Sequence, residues 1–266
     1  MINTDRYIEF YITNECNLAC SNCNRFNNYE FSGHYYWEDH KDEYAKWAKR
    51  VTPSQLVLIG GEPTLHPELS KWAFGLRELW PNTEIMIQSN GINTEFRNKD
   101  SLWKHKIGFG ISVHSDSVRK NLIKNWGRKN IATGEDTSGA ILDQLEFTDA
   151  AIVNKNGVLT VHNSDPELAF SSCAMRHSLT MLRGKLYKCP AVAVLPEFIK
   201  QFPVQMSDTQ RELLNSYIPL STDCSDSELT SFLGAKEQYI PQCSLCPNDY
   251  KLQPITFHRY KKSDFK

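Results

Sequence analysis

Cys16-Asn17-Leu18-Ala19-Cys20-Ser21-Asn22-Cys23 sets three thiols within eight residues, directly after the strand-like segment Tyr7-Ile8-Glu9-Phe10-Tyr11-Ile12-Thr13. Iron-sulfur clusters are held by cysteine thiolates, and three of them in one short loop can ligate three irons of a cubane, leaving the fourth iron open to chemistry. Disulfides are a poor alternative, because an odd number of closely spaced cysteines cannot pair off and the loop would strain any bridge. Structural zinc competes for the same spacing, although such sites usually take four protein ligands.

Working outward, the next informative stretch is Leu56-Val57-Leu58-Ile59-Gly60-Gly61-Glu62-Pro63, an apolar run of strand type ending in two glycines, an acid and a proline. Glycine allows close backbone approach to a ligand, and proline fixes the turn that follows. With Cys-x3-Cys-x2-Cys after the first strand and Gly-Gly-Glu-Pro after the second, the chain resembles the radical S-adenosylmethionine (radical SAM) superfamily. The resemblance implies that Cys16, Cys20 and Cys23 hold a 4Fe-4S cluster whose fourth iron is chelated by the amino and carboxylate groups of SAM. It also implies that Gly60, Gly61, Glu62 and Pro63 hold the SAM amino group. The chain departs from the family before the third cysteine, where an aromatic residue is common and Asn22 stands. In the resembling family that position touches the adenine partly through its backbone.

The composition agrees with an enzyme of this kind. The 266 residues are 40% hydrophobic and 23% charged, with a formal net charge of -1. Such a chain can bury a sizeable core, and it lacks the global basicity of a nucleic-acid binder. The N-terminus enters a strand within a few residues, without the basic-then-apolar stretch of a secretory signal. No apolar run approaches the roughly 20 residues needed to span a bilayer. Eight cysteines in that setting point to metal rather than disulfides, and hence to a reducing compartment, the cytoplasm, with no membrane partner.

Strands alternate with helices through the first half. Tyr44, Trp47, Ala48 and Val51 recur at helical spacing before a strand from Gln55 to Ile59. Pro67 stands in first-turn position ahead of Leu69, Trp72, Leu76 and Leu79. Strands are expected at Thr83 to Gln88 and at Ile107 to His114, the latter followed by an amphipathic segment with Val118, Leu122 and Ile123. Such βαβα alternation predicts an α/β fold with a parallel sheet curling toward a barrel, and ligands at the strand C-terminal ends. In the resembling family this is a partial (β/α)6 barrel, and Ser89, Asn90 and Ser112 sit where SAM is contacted. Ser89-Asn90-Gly91 also reads as a simple turn, and His114 as a hydrogen-bonded rim residue. From Gly127 to about Ala150 the pattern loosens around Gly127, Gly134 and Gly139, with one helical fragment, Ala140 to Leu145. Ala150 to Val153 and Val158 to Val161 are candidates for the last barrel strands, or for a hairpin about Asn154-Lys155-Asn156-Gly157. The expected organisation is a barrel over 1–165, a second module over 166–253, and a tail over 254–266 whose basic stretch Arg259-Tyr260-Lys261-Lys262 is solvated.

That second module carries another cysteine set, Cys173, Cys189, Cys243 and Cys246, with Leu179 to Leu182 and Lys185 to Lys188 flanking Arg183-Gly184 like hairpin arms. It is similar to the auxiliary-cluster module called twitch, a shortened relative of SPASM, which implies a second 4Fe-4S cluster; a four-thiolate zinc site is the alternative. Cys224 is left over, an ordinary cysteine, a substitute ligand or a hydrogen-atom donor. His162, Asp165 and Glu167 are further candidates for a general base, although polar residues in a connecting loop are usually solvated. Trp37, Trp47, Trp72 and Trp80 fall in helix-like patterns and are expected in the core.

The resemblance implies reductive cleavage of SAM to a 5'-deoxyadenosyl radical that abstracts a substrate hydrogen atom. The layout of barrel plus twitch is similar to that of 2-deoxy-scyllo-inosamine dehydrogenases, which implies a two-electron oxidation of a small molecule with the auxiliary cluster as electron acceptor. A peptide-modifying maturase or epimerase is the alternative, and an external donor such as flavodoxin or ferredoxin is the implied partner. A non-catalytic iron-sulfur or zinc protein would explain the cysteines but not Gly-Gly-Glu-Pro at the end of strand two.

Overall fold

The structure, a computed structural model, describes residues 1–93, 102, 104–126, 141–249 and 251–265. The chain divides into two compact units, Met1–Asn17 with Ser32–Glu146, and Leu18–Phe31 with Phe147–Lys266. No helix among the described residues is long and apolar enough to cross a membrane.

The first unit runs β1 (Ile2–Thr13), α1 (Trp37–Ala48), β2 (Val51–Gly60), α2 (Leu69–Leu79), β3 (Glu84–Ser89), β4 (Ile107–Val113), α3 (Asp116–Trp126) and β5 (Ile141–Asp143). The five strands pair in parallel in that order. Parallel strands are covered on both faces and therefore read as continuous apolar runs, and β4 is buried at every position. Helix α2 buries Leu69, Trp72, Ala73 and Leu76, one face at three- and four-residue spacing. Past its end, the Arg77 guanidinium donates to the carbonyls of Trp80, Pro81, Thr83, His105 and Lys106, tying the helix to the entries of β3 and β4. Trp37, Trp47, Trp72 and Trp80 are core residues, as their pattern predicts. Phe10 packs edge-on against Tyr44, Trp72 and Trp80 with ring centroids 5.4, 6.3 and 5.9 Å away.

Two expectations change here. Val51 opens β2 rather than closing α1. The fragment expected to be helical ends in strand β5, where Ile141, Leu142 and Asp143 pair with Ile111, Ser112 and Val113. An apolar run this short has no period to read, so pairing decides it. Gly127, Gly134, Gly139 and Ala140 lie outside the described residues.

Strand β6 (Glu146–Thr148) begins at the unit boundary. The second unit continues with β7 (Ile152–Lys155), β8 (Val158–Val161), α4 (Pro166–Ser172), β9 (Leu179–Leu182), β10 (Lys185–Tyr187), α5 (Pro190–Gln201), β11 (Val204–Gln205), α6 (Asp208–Asn215), α7 (Asp226–Gly234), a 3-10 turn at Pro241–Leu245 and β12 (Leu252–Pro254). The candidates for last barrel strands are instead an antiparallel hairpin, β7–β8, extended by β11. Its turn takes positive φ at Asn156 (53°) and Gly157 (80°), and β9–β10 turns the same way at Arg183 (50°) and Gly184 (70°). Two consecutive positive φ values make the turn that matches hairpin twist.

The basic end is not a solvated tail. Tyr260 stacks on Tyr29 with centroids 5.4 Å apart, Phe265 is buried, and Arg259 donates to main-chain carbonyls. Aromatic residues interleaved with the charges give this segment a core-facing side that a count of lysines and arginines misses.

Candidate functional site

In the first unit the candidate residues gather at the C-terminal ends of β1 to β4. A Cβ on Gly60 would lie 2.4 Å from the Thr13 carbonyl oxygen, and one on Gly61 would lie 2.2 Å from that of Glu15. The Gly61 amide donates to Thr13 O and the Glu62 amide to Glu15 O, both at 2.7 Å. The two glycines thus let the strand-two motif lie backbone to backbone against the start of the cysteine loop. Pro63 then opens a short 3-10 turn, Pro63–Leu65, capped by the Glu62 side chain.

Glu62 is completely buried. Its Oε1 accepts from Thr64 N (3.1 Å), Thr64 Oγ1 (2.6 Å) and Ser89 Oγ (2.8 Å), and its Oε2 from Asn90 N (2.7 Å). Burial pushes the carboxyl pKa up, while the bonds from Asn90, Thr64 and Ser89 pull it down. Each oxygen accepts from a backbone amide, and the four donated bonds favour the charged form against the cost of burying it. Ser89-Asn90-Gly91 is therefore a turn with further duties: Ser89 and Asn90 hold Glu62, and Asn90 Nδ2 donates to Asn17 Oδ1 at 2.7 Å with Cys16 Sγ at 4.0 Å.

Ser112 is buried and accepts from Gln88 Nε2 at 2.7 Å. A Cβ on Gly110 would lie 2.3 Å from Gln88 Oε1, so that glycine makes room for the pair. Sequence reasoning missed Gln88; the signal was a glycine inside a strand, which marks close approach. It also missed His66, whose Nε2–H donates to Tyr35 O at 2.8 Å while Nδ1 accepts from Glu68 N at 3.0 Å. These partners hold a neutral ring, and burial lowers its pKa. His114 donates through Nδ1 to Gln144 O at 3.1 Å, the rim role expected for it.

The other two cysteines of the first motif belong to the second unit. Cys20 is buried and forms an antiparallel bridge with Phe257, and Cys23 Sγ lies 3.7 Å from Asn27 Oδ1. Asn22 between them has φ of 57°, a left-handed conformation that asparagine tolerates better than an aromatic residue would.

Cys173, Cys189 and Cys246 each flank the end of an element, and Cys243 lies inside one. Cys173 follows α4, Cys189 is the N-cap of α5, and Cys243 and Cys246 lie within and just after the 3-10 turn. They are mutual electrostatic neighbours. Burial pushes the Cys189 thiol up to about 12, aided by Cys173 and Cys243, and holds Cys246 well above the usual thiol range, with Cys189, Cys173 and Cys243 adding to it. Burial also raises Cys243, against the opposing charge of Lys188. Lys188 is itself buried, donates to the Ala235 carbonyl, and lies 5.8 Å over the Phe170 ring. Among the described residues no three His, Cys, Asp or Glu side chains close on a point suited to a single metal ion.

None of the eight cysteines is in a disulfide. Half-buried Cys224 lies in the turn before α7, its amide donating to Ser221 O at 3.2 Å. The candidate bases have structural work: His162 Nε2 donates to Ala150 O at 3.0 Å, and Asp165 caps α4 by accepting from Glu167 N (3.0 Å) and Leu168 N (2.9 Å). Glu167 is exposed in the first turn of that helix.

No curated protein matches the sequence. Among solved structures, BtrN in complex with AdoMet and 2-DOIA is similar over 92% of this chain and 94% of its own, at 16% identity and a TM-score of 0.51. SuiB of Streptococcus suis bound to S-adenosylmethionine is similar over 45% of this chain and 27% of its own, at 17% identity and a TM-score of 0.35. The BtrN likeness bears on fold alone, that of a mixed α/β chain with a partial barrel and an additional module. Residues 10–146, just over half of the sequence, match the family described as the Radical SAM superfamily, and with the paired motifs at the ends of β1 and β2 this establishes that the chain belongs to that superfamily.

Proposed function

We propose that this chain is a radical SAM enzyme with two 4Fe-4S clusters that oxidises a small molecule by two electrons. Cys16, Cys20 and Cys23 hold the first cluster. Cys173, Cys189, Cys243 and Cys246 hold the second, in a twitch-like module spanning 166–253. Membership of the superfamily already implies SAM and one 4Fe-4S cluster. When bound, these groups supply a 5'-deoxyadenosyl radical for hydrogen-atom abstraction, and the second cluster supplies an acceptor for the substrate's electron.

The observation that carries the second cluster is a crowd of four thiols, in which burial and the neighbouring cysteines raise the pKa of Cys189, Cys243 and Cys246. Neutral thiols gain nothing from such crowding, whereas deprotonated thiols need a metal in place of the lost protons.

In the barrel, the ionised carboxylate of Glu62 suits a cationic ligand group, the SAM ammonium, beside Gly60, Gly61 and Pro63. Ser89, Asn90 and Ser112 offer the polar contacts of the next two strand ends, and the left-handed Asn22 offers its backbone to the adenine. The reducing electron comes from an external carrier of the flavodoxin or ferredoxin kind. BtrN, solved with AdoMet and 2-DOIA over nearly the same length, supports the small-molecule class.

Anaerobically reconstituted protein should bind about eight irons and form 5'-deoxyadenosine from SAM when reduced. Replacing Cys16, Cys20 and Cys23 together by alanine should halve the iron and abolish the product. Zinc, or one cluster only, in carefully reconstituted protein would overturn the assignment.

A further inference from the structure

Within the second unit, the last residues of the chain bind the cysteine loop itself. Ser21 N donates to Thr256 O at 2.7 Å, and Thr256 N donates back to Ser21 Oγ at 3.0 Å. His258 N donates to Ala19 O at 3.0 Å, and Phe257 bridges Cys20. Tyr260 N donates to Asn28 O and Glu30 N to Tyr260 O, both at 2.8 Å. A loop without regular secondary structure must place its backbone polar groups somewhere, and this one places them on a segment more than 200 residues away.

Arg259 is the centre of the arrangement. Its guanidinium donates to the carbonyls of Leu18 and Asn27, the latter at 3.2 Å, with Tyr29 O at 3.5 Å. Leu18 precedes Cys20 and Asn27 follows Cys23, so one side chain holds both arms of the thiol-bearing loop. Asn27 in turn places its Oδ1 3.7 Å from Cys23 Sγ. A planar guanidinium with five donors can serve several carbonyls from different directions at once, which an ammonium on a single point cannot do as rigidly. Behind it, Tyr29 packs against Tyr260, Phe198, Phe202 and Phe265, anchoring the segment in the core of the unit.

We propose that residues 256–265 form a strap that sets the conformation of the loop carrying Cys20 and Cys23, with Arg259 as its positioning residue. The inference rests on the reading that these cysteines are cluster ligands. Groups that orient ligands, though they touch no metal, commonly decide affinity and redox behaviour. Arg259 should therefore control the occupancy and electronic signature of the first cluster, and leave the second one alone.

The test is anaerobic reconstitution of full-length Arg259→Ala and Arg259→Lys, followed by iron analysis, circular dichroism and electron paramagnetic resonance of the reduced protein with and without SAM. Arg259→Ala should keep the wild-type far-ultraviolet spectrum and the second-cluster signal. It should lose up to half of about eight irons, or lose the change that SAM causes in the first-cluster signal. Arg259→Lys, with its charge but not its fork, should fall between. Wild-type iron and a wild-type SAM response in Arg259→Ala would overturn the strap. Should that variant lose both clusters, Arg259→Lys is read in its place, and an unchanged first-cluster signal there would overturn it equally. A Cys20→Ala variant that keeps the wild-type iron content would instead overturn the ligand reading, and the strap's role with it.

Discussion

At Glu62 a wholly buried carboxylate receives four hydrogen bonds, two of them from backbone amides of the turn at Thr64 and the strand end at Asn90. The resemblance of Gly-Gly-Glu-Pro to the superfamily's motif implies a ligand contact at this residue. What the motif does not display is that the same side chain ties the end of β2 to the end of β3, because the donors lie 27 and 28 positions away at Ser89 and Asn90. Glu62→Gln keeps the shape but turns an N–H toward one of those amides, at a cost of about 1–3 kcal/mol. At about 2–4 °C per kcal/mol for a chain of roughly this size, the thermal midpoint of the ligand-free protein should fall by several degrees. SAM binding should weaken about tenfold or more with the loss of the charge. A midpoint equal to wild type, measured by scanning calorimetry, would show that the carboxylate carries no structural burden.

Among the elements, two glycines with similar crowding should behave differently when given a methyl group. At Gly61 the added carbon meets the Glu15 carbonyl at 2.2 Å, and backbone must move. At Gly110 the first atom met, at 2.3 Å, is the end of the Gln88 side chain, which can swing away at the expense of its bond to Ser112. Gly61→Ala should therefore lower stability by about 1–3 kcal/mol. Gly110→Ala should unfold near the wild-type urea concentration and show its effect in SAM affinity. Equal losses of stability in the two variants would refute this division. The hairpins illustrate the complementary case: Asn156-Gly157 and Arg183-Gly184 are local turn chemistry, and both were readable. Strand β5 was not, because its identity comes from pairing with β4.

For the molecule as a whole, the open chemical question is where the substrate's second electron goes. In the oxidation proposed here a second cluster held by Cys173, Cys189, Cys243 and Cys246 would be the acceptor and Cys224 would be dispensable, whereas an epimerase would need a thiol to return a hydrogen atom. Turnover of the true substrate by Cys224→Ala in deuterated buffer decides between them: activity retained without solvent deuterium in the product is the expected result. Lost activity with both clusters intact, and deuterium taken up by the wild type, would defeat the oxidation. By itself the sequence determined the superfamily and the α/β class, because closely spaced thiols and a glycine pair at a strand end leave their demands in short, contiguous motifs. Tertiary structure alone decided that Glu62 joins two strand ends, that Gln88 faces Ser112, and that the basic end clasps the cysteine loop. Each of those depends on partners brought together by chain crossovers, and a backbone carbonyl that accepts from a distant arginine has no signature in its own side chain.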